Sequence, residues 1–137
     1  MALAAIAGEK MATALVVDDS RAIRTILSKT LRELGFEVRE AANGKEALEL
    51  IQAEKSAVTL ILLDWNMPEM NGLDLLKRLR ENPKLSSLVV VMVTAETEVD
   101  RIAEALEAGA NEYVMKPFTK DIIVGKLQLA GIQICGA

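Results

Sequence analysis

Five polar side chains stand where apolar runs of this chain end. Asp18 and Asp19 follow Ala14-Leu15-Val16-Val17, and Asp64 follows Leu60-Ile61-Leu62-Leu63. Thr94 follows Val89-Val90-Val91-Met92-Val93, and Lys116 follows Tyr113-Val114-Met115. If these runs are strands of one parallel sheet, the polar groups share a single edge, the one outside the carboxyl ends of the strands where open α/β sheets bind ligands. Any one of them would mean little. Three carboxylates, a hydroxyl and an ammonium at the same end of their strands describe a phosphoryl-transfer site.

The elements that would position them can be read from periodicity. A first helix carries Ile23, Ile26, Leu27, Leu31 and Leu34 at helical spacing, and Gly35 supplies a left-handed stop. A second starts at Asn43, with Glu46 three residues on as a capping-box partner, and buries Ala47, Leu48 and Ile51. A third runs from about Asn71 through Leu73, Leu76 and Leu79 and stops before Pro83. The fourth starts near Thr97, with Asp100 three residues later, carries Val99, Ile102 and Leu106, and ends at Gly109. The fifth begins at Thr119 and continues through Ile122, Ile123 and Leu127. Strands alternating with helices of this length predict βαβ units and a parallel sheet.

Strand composition predicts the sheet order as well. Strands one, three and four are continuous apolar runs, as expected where helices cover both faces. Strand two, Phe36-Glu37-Val38-Arg39-Glu40, alternates, and strand five is short, so both read as edges. The expected fold is a flavodoxin-like (βα)5 doubly wound parallel sheet with strand order 2-1-3-4-5. That order sets Asp18, Asp19 and Asp64 side by side. At 4 Å and a surface-like effective dielectric, each carboxylate pair repels by ~4 kcal/mol. The three must share a proton, bind a divalent cation or take up Lys116 as a partner.

Composition excludes several classes. The 137 residues suit one domain, and with 51% hydrophobic but 3% aromatic residues the core should be built from Leu, Val, Ile and Ala. A net charge of −4, with 16 basic against 20 acidic residues and no basic stripe, gives no reason to expect direct nucleic-acid binding. The single cysteine, Cys135, cannot form an intrachain disulfide, which fits a reducing cytoplasm. Met1 to Gly8 is apolar but short and lacks a basic start, so it reads as a tail rather than a signal peptide, and no membrane association is expected. With no histidine in the chain, a phosphoryl group that passes through histidine must arrive from another protein.

Leu15-Val16-Val17-Asp18-Asp19-Ser20, Asp64-Trp65-Asn66-Met67-Pro68 with Asn71-Gly72, Val93-Thr94-Ala95-Glu96, and Tyr113-Val114-Met115-Lys116-Pro117-Phe118 closely resemble the receiver domain of two-component response regulators. The resemblance is strongest to single-domain chemotaxis regulators of the CheY type. It covers about residues 12 to 130, so residues 1–11 are read as a tail and 12–137 as the receiver domain. It implies that Asp64 is the phosphoacceptor. Asp18 and Asp19 would be magnesium ligands, directly or through water, with Asp64 and the Asn66 backbone carbonyl completing an oxygen-only shell. Lys116 would neutralise one phosphoryl oxygen and Thr94 would donate to another. Tyr113 would swing inward as Thr94 moves, and Asn66 and Glu96 would flank the path of the attacking water and tune dephosphorylation. The implied partners are a sensor histidine kinase, an output protein such as the flagellar motor switch, and a phosphatase. A homodimer could form through the face made by the fourth helix, fifth strand and fifth helix. The chain would catalyse only its own phosphorylation and dephosphorylation.

Other readings stand beside these. Asp18 and Asp19 taken alone could be helix-capping acids, and Thr94 a simple strand end. Trp65 is either a surface anchor for a partner or a partly exposed packing residue, and Tyr113 either a switch or ordinary edge packing. Lys116-Pro117 resembles the family's cis peptide, whereas sequence alone predicts trans. The same domain also occurs within larger regulators and in phosphorelay shuttles. A haloacid-dehalogenase-like phosphatase would want a second Asp two residues after the nucleophile, where this chain has Asn66. A flavodoxin-like binding module would want a glycine- and hydroxyl-rich loop where this chain has Asp18-Asp19. Ser20 follows the acidic pair where some members of the family carry an aromatic residue. The segment from Ile123 to Cys135 is more apolar than a half-exposed final helix needs, and its two glycines should weaken the helix. Leu129, Ile132 and Ile134 either pack back onto the first helix or, as favoured, form a partner or self-association surface.

Overall fold

A computed structural model describes residues 12–54, 58–67, 70–95 and 100–133. The tail over residues 1–11, Pro68, Glu96, Thr97, Val99, Ile134 and Cys135 lie outside them. In chain order the elements are β1 (Thr13–Val17), α1 (Arg21–Glu33), β2 (Glu37–Ala41), α2 (Gly44–Glu54), β3 (Val58–Asp64), α3 (Gly72–Arg80), β4 (Val89–Ala95), α4 (Asp100–Glu107), β5 (Glu112–Lys116) and α5 (Lys120–Leu129). A single 3-10 turn, Pro83–Leu85, joins α3 to β4. The strands form one parallel sheet in the order β2-β1-β3-β4-β5. No described helix is long and apolar enough to cross a membrane.

The side-chain alternation of the three inner strands divides the core in two. Leu15, Val17, Ile61, Leu63, Val90 and Met92 face α2, α3 and α4, where they meet Ala47, Ile51, Leu73, Leu75, Leu76, Leu79 and Ala105. Ala14, Val16, Leu60, Leu62, Val91 and Val93 face α1 and α5, where they meet Leu27, Leu31, Ile123 and Leu127. Burying each large aliphatic side chain contributes about 1.5–3 kcal/mol, so both faces of the sheet are driven to acquire helices. Parity then assigns the functional residues. Thr94 follows Val90 and Met92 toward α4, and Tyr113, paired with Met92, packs against the same cluster.

Capping matches the sequence reading at several helix starts. Asn43 Oδ1 accepts from Glu46 N–H at 2.9 Å while Glu46 Oε1 accepts from Ala42 N–H at 2.9 Å. Asn71 and Thr119 cap α3 and α5. The cap of α1 is Ser20, whose hydroxyl accepts from Ile23 N–H, so neither acid of the pair is the capping residue.

Other details depart from it. Ile26, Leu106 and Ile122 were placed on buried stripes but are 51%, 43% and 43% exposed. Their helices turn smaller or better-placed residues inward, among them Ser28, Ala105 and Ile123. Glu40, which parity would aim at α1, is exposed and pairs with Arg24 of that helix at 3.4 Å. Gly131 ends α5 rather than weakening it. At φ 94 it lets Ile132 N–H reach Leu127 O at 2.9 Å, a Schellman closure that folds Ile132 back onto the α1–α5 side of the core. The expected exposed patch is therefore divided, with Ile132 packed inward and Leu129 73% exposed.

At the end of the sheet away from its carboxyl edge, Arg80 binds three segments together. Its Nε donates to Gly109 O at 3.0 Å, Nη1 to Leu85 O at 3.0 Å and Nη2 to Asn111 Oδ1 at 2.8 Å. Asn111 Oδ1 also accepts from Val90 N–H, so the C-terminal end of α4 is fixed to α3 and β4.

Ser28 is fully buried in α1, and its hydroxyl has no hydrogen-bond partner among the described residues. An unsatisfied buried hydroxyl costs about 1–3 kcal/mol, and alanine is the better helix former. Ser28→Ala should therefore raise the urea midpoint, by about 1 kcal/mol of unfolding free energy. A lower midpoint would mean that the hydroxyl is satisfied in solution.

Candidate active site

The sheet register assembles the site. Pairing of Val17 with Leu63 sets Asp18 next to Asp64, the last residue of β3, and Asp18 N–H still donates to Ala41 O at 3.1 Å. Pairing of Ala95 with Lys116 brings the ammonium to the same edge from β5. Lys116 Nζ lies 3.2 Å from Asp18 Oδ2 and 3.4 Å from Asp64 Oδ1 and bridges the two. The other Asp18 oxygen accepts from Ser20 N–H at 2.8 Å. Asp18 and Asp64 are buried and Asp19 is exposed, so one carboxylate of the group opens to solvent. The peptide between Lys116 and Pro117 is cis, as the resemblance implied and against the trans default.

Oxygens of Asp18, Asp19 and Asp64 all lie within 4.8 Å of one another. An all-oxygen donor set of this charge suits a hard divalent cation, so the three carboxylates can hold a metal ion. Burial and then the neighbouring Asp18 charge push Asp64 up to about 6; Lys116 opposes them, and Asp19 adds a smaller push in the same direction. Burial alone would lower Lys116, but Asp64 and Asp18 outweigh it and hold the ammonium above its ordinary range. Asp64 is thus poorly solvated, crowded by negative charge and in reach of one cation. Such a carboxylate has much to gain from an arriving divalent ion or from a phosphoryl group held by donors.

The first turn of α3 presses on the end of β3. Gly72 N–H donates to Trp65 O at 2.9 Å, and a Cβ on Gly72 would run into the Asp64 carbonyl oxygen and Trp65 Cα. Glycine at this position lets helix and strand close, which fixes the backbone that carries Asp64. Thr94 is buried, with its hydroxyl 3.5 Å from Ala95 O. Tyr113 is half-buried, packs against the core and carries the Lys126 ammonium 4.1 Å from its ring centroid. A cavity of about 10 Å³ lies between Thr94, Tyr113 and Trp65 and the α4 residues Arg101, Ile102 and Ala105.

Trp65 is buried, so of its two readings the packing one describes this structure. The guanidinium of Arg101, in the first turn of α4, stands 5.3 Å from the Trp65 ring centroid. Its Nη1 is 3.4 Å from Asn66 Oδ1. Sequence reasoning missed Arg101 because only the fold brings the start of α4 against the β3–α3 connection. Together with Asp19, Trp65, Asn66 and Glu104 it lines an open cleft beside Asp64. The structure therefore brings Asp18, Asp19, Asp64 and Lys116 together and places Asn66 on the cleft wall. Glu96 lies outside the described residues.

A family model for the response regulator receiver domain matches residues 14–128. The chain belongs to that family. Among relatives of this receiver, chemotaxis protein CheY1 of Helicobacter pylori is 45% identical over 116 residues, which cover 84% of this chain and 93% of the relative. The chemotaxis protein CheY homolog of Campylobacter jejuni is 44% identical over 115 residues, covering 83% and 88%. The solved structure of Vibrio cholerae chemotaxis protein CheY4 superimposes with a TM-score of 0.79 at 36% identity and covers 87% of this chain and 98% of that one.

The raised Asp64 value has a stability consequence. A carboxyl group whose proton is held more tightly in the fold than in the unfolded chain stabilises the fold fully below about pH 4, and that contribution is lost as pH rises through about 6. In metal-free buffer at pH 7.5, Asp64→Asn should resist urea better than the parent receiver, by up to about 3 kcal/mol. The difference should close as pH falls toward 4. An equal or lower stability of the variant at pH 7.5 would show that Lys116 fully compensates the ionised group.

Proposed function

We propose that this receiver is a phosphorylation-dependent signalling switch of the chemotaxis type, with Asp64 as its phosphoacceptor. The observation that carries the reading is Asp64 itself, a buried carboxylate at a strand end, bridged by Lys116 and set among further acidic oxygens. A partner histidine kinase supplies the phosphoryl group. An Asp64 carboxylate oxygen bonds to phosphorus while the phosphorus–nitrogen bond of the donor phosphohistidine breaks and the imidazole takes a proton. Asp18, Asp19, Asp64 and the Asn66 backbone carbonyl would hold magnesium. That ion, when bound, supplies charge neutralisation between the acidic pocket and the phosphoryl oxygens.

Lys116 then exchanges a carboxylate partner for a phosphoryl oxygen, and the Thr94 hydroxyl donates to another. Movement of Thr94 draws on the cavity it shares with Tyr113, whose ring sits between that space and Lys126. Ligand and mark act by shifting a pre-existing equilibrium. The surface they alter is the face of α4, β5 and α5, where Leu106, Met115 and Ile122 are partly exposed and offer apolar contact to an output partner. Relatives named for chemotaxis support the flagellar motor switch as that partner, and the same face would serve a homodimer. Self-dephosphorylation resets the switch, with Asn66 and Glu96 beside the path of the water. The site of action is the cytoplasm.

Incubation with acetyl phosphate and magnesium should add one phosphoryl group, read by intact mass. Chelating the metal should suppress it and Asp64→Asn should abolish it. Equal labelling of that variant would move the acceptor to another residue.

The lone tryptophan offers an independent readout, because Trp65 directly follows Asp64. Its emission should change on adding magnesium and again with beryllofluoride. An unchanged spectrum at saturating concentrations of both would mean that neither occupies this site.

A further inference from the structure

In the first turn of α4, Arg101 touches Trp65 and Asn66, the residues after Asp64, by two kinds of contact. Its guanidinium carbon is 5.3 Å from the centroid of Trp65, within the range of a cation–π interaction. Its Nη1 is 3.4 Å from Asn66 Oδ1. A planar guanidinium can do both at once, stacking with its face and donating from its edge, which an ammonium cannot. Trp65 is a firm base for such a stack. It is buried in the core and chain-linked to Asp64, whereas Asn66 is exposed. Arg101, Asn66 and Asp19 line the same open cleft beside Asp64, the route by which solvent approaches.

We propose that Arg101 is a positioning residue that sets the lifetime of the phosphoryl mark by holding the Asn66 side chain from its seat on Trp65; this rests on Asp64 being the acceptor. In the decay step a water oxygen bonds to phosphorus, the bond from phosphorus to the Asp64 oxygen breaks, the carboxylate is regenerated and the water's proton leaves with inorganic phosphate. Arg101 takes no part in those bonds. By engaging Oδ1 it turns the amide so that its N–H groups form the opposite end, and that end orders the water. Because Arg101 belongs to α4, anything that shifts the first turn of that helix also loosens the hold on Asn66. The state of the output surface is thereby coupled to the lifetime of the mark.

The test uses the full chain, phosphorylated with acetyl phosphate and magnesium and then freed of donor, with decay followed by intact mass. Arg101→Ala should slow decay by about 2- to 10-fold, the range over which a single hydrogen bond shifts an equilibrium. The same substitution made in an Asn66→Ala background should change the rate by less than half as much on a logarithmic scale, because the group it positions is gone. Trp65 emission in unphosphorylated Arg101→Ala should differ from that of the parent, since the charge over the ring has been removed. Unchanged decay in Arg101→Ala overturns the proposal. So does an equal slowing with and without Asn66, which would show that Arg101 acts by another route, and so does an unchanged Trp65 spectrum, which would show that the stack does not form. Failure of the parent to be phosphorylated, or labelling of Asp64→Asn, refutes the acceptor reading and this proposal with it. Normal labelling with unchanged decay refutes this proposal alone.

Discussion

The structure depends on an electrostatic conflict. Asp18 and Asp64 are buried side by side, with Asp19 close enough to add its own charge, and Lys116 answers for two of the three. Pairwise repulsion of ~4 kcal/mol at 4 Å is comparable to a large part of the net stability of a small domain. A fold selected for stability alone would have no reason to keep such a cluster. Retaining it makes the site responsive. Cations or phosphoryl oxygens that change the local charge balance act on a large free-energy term, while a structural ion pair on the surface would contribute little.

The doubly wound sheet makes the conflict tolerable by confining it to one edge. The inner strands bury apolar residues on both faces, so the polar groups can gather only where the strands run out. Rigidity comes from elsewhere. Gly72 lets α3 close on the end of β3, and Arg80 fixes the C-terminal end of α4 through Gly109, Leu85 and Asn111. The first turn of α4 is held differently, with Arg101 resting on Trp65 and reaching Asn66. One end of the helix is therefore anchored to the scaffold, and the other to Trp65 and Asn66, the two residues that follow Asp64. If Asp64 is the phosphoacceptor, as proposed, that arrangement would let the position of the helix answer to chemistry there.

The five polar positions were legible in the sequence because strand ends are marked by abrupt changes of residue type, and because sheet order follows from which strands are apolar on both faces. Helix starts were legible where a side chain closes on a nearby backbone group, as Asn43, Asn71 and Thr119 do. Helix faces were less so. Ile26 and Ile122 satisfy the helical spacing yet are partly exposed, because spacing defines a stripe but not how far the helix rolls against the sheet. Gly131 looked like a weakness because propensity counts the residue and not the turn it closes. Arg101 meets Trp65 and Asn66, and Arg80 meets Gly109 and Asn111, across long sequence separations, and nothing in their neighbourhood of the chain marks those contacts. Such contacts are products of the fold.

Under the proposed function, Lys116 would serve two states. In this structure its ammonium spans Asp18 and Asp64 at 3.2 and 3.4 Å and lowers the cost of their proximity. Phosphorylation would convert the Asp64 carboxylate into an acyl phosphate, a mixed anhydride, and move negative charge outward onto the phosphoryl oxygens. The old contact would then lose much of its attraction as the phosphoryl oxygens offer a stronger acceptor. Lys116 is carried at the last position of β5, directly before the cis peptide to Pro117, and β5 also carries Tyr113 against the α4 side of the core. A shift in the ammonium's partner would thus be applied to the strand that also carries Tyr113 against the α4 side of the core. No separate relay would be required, since Lys116 and Tyr113 belong to one short element, β5.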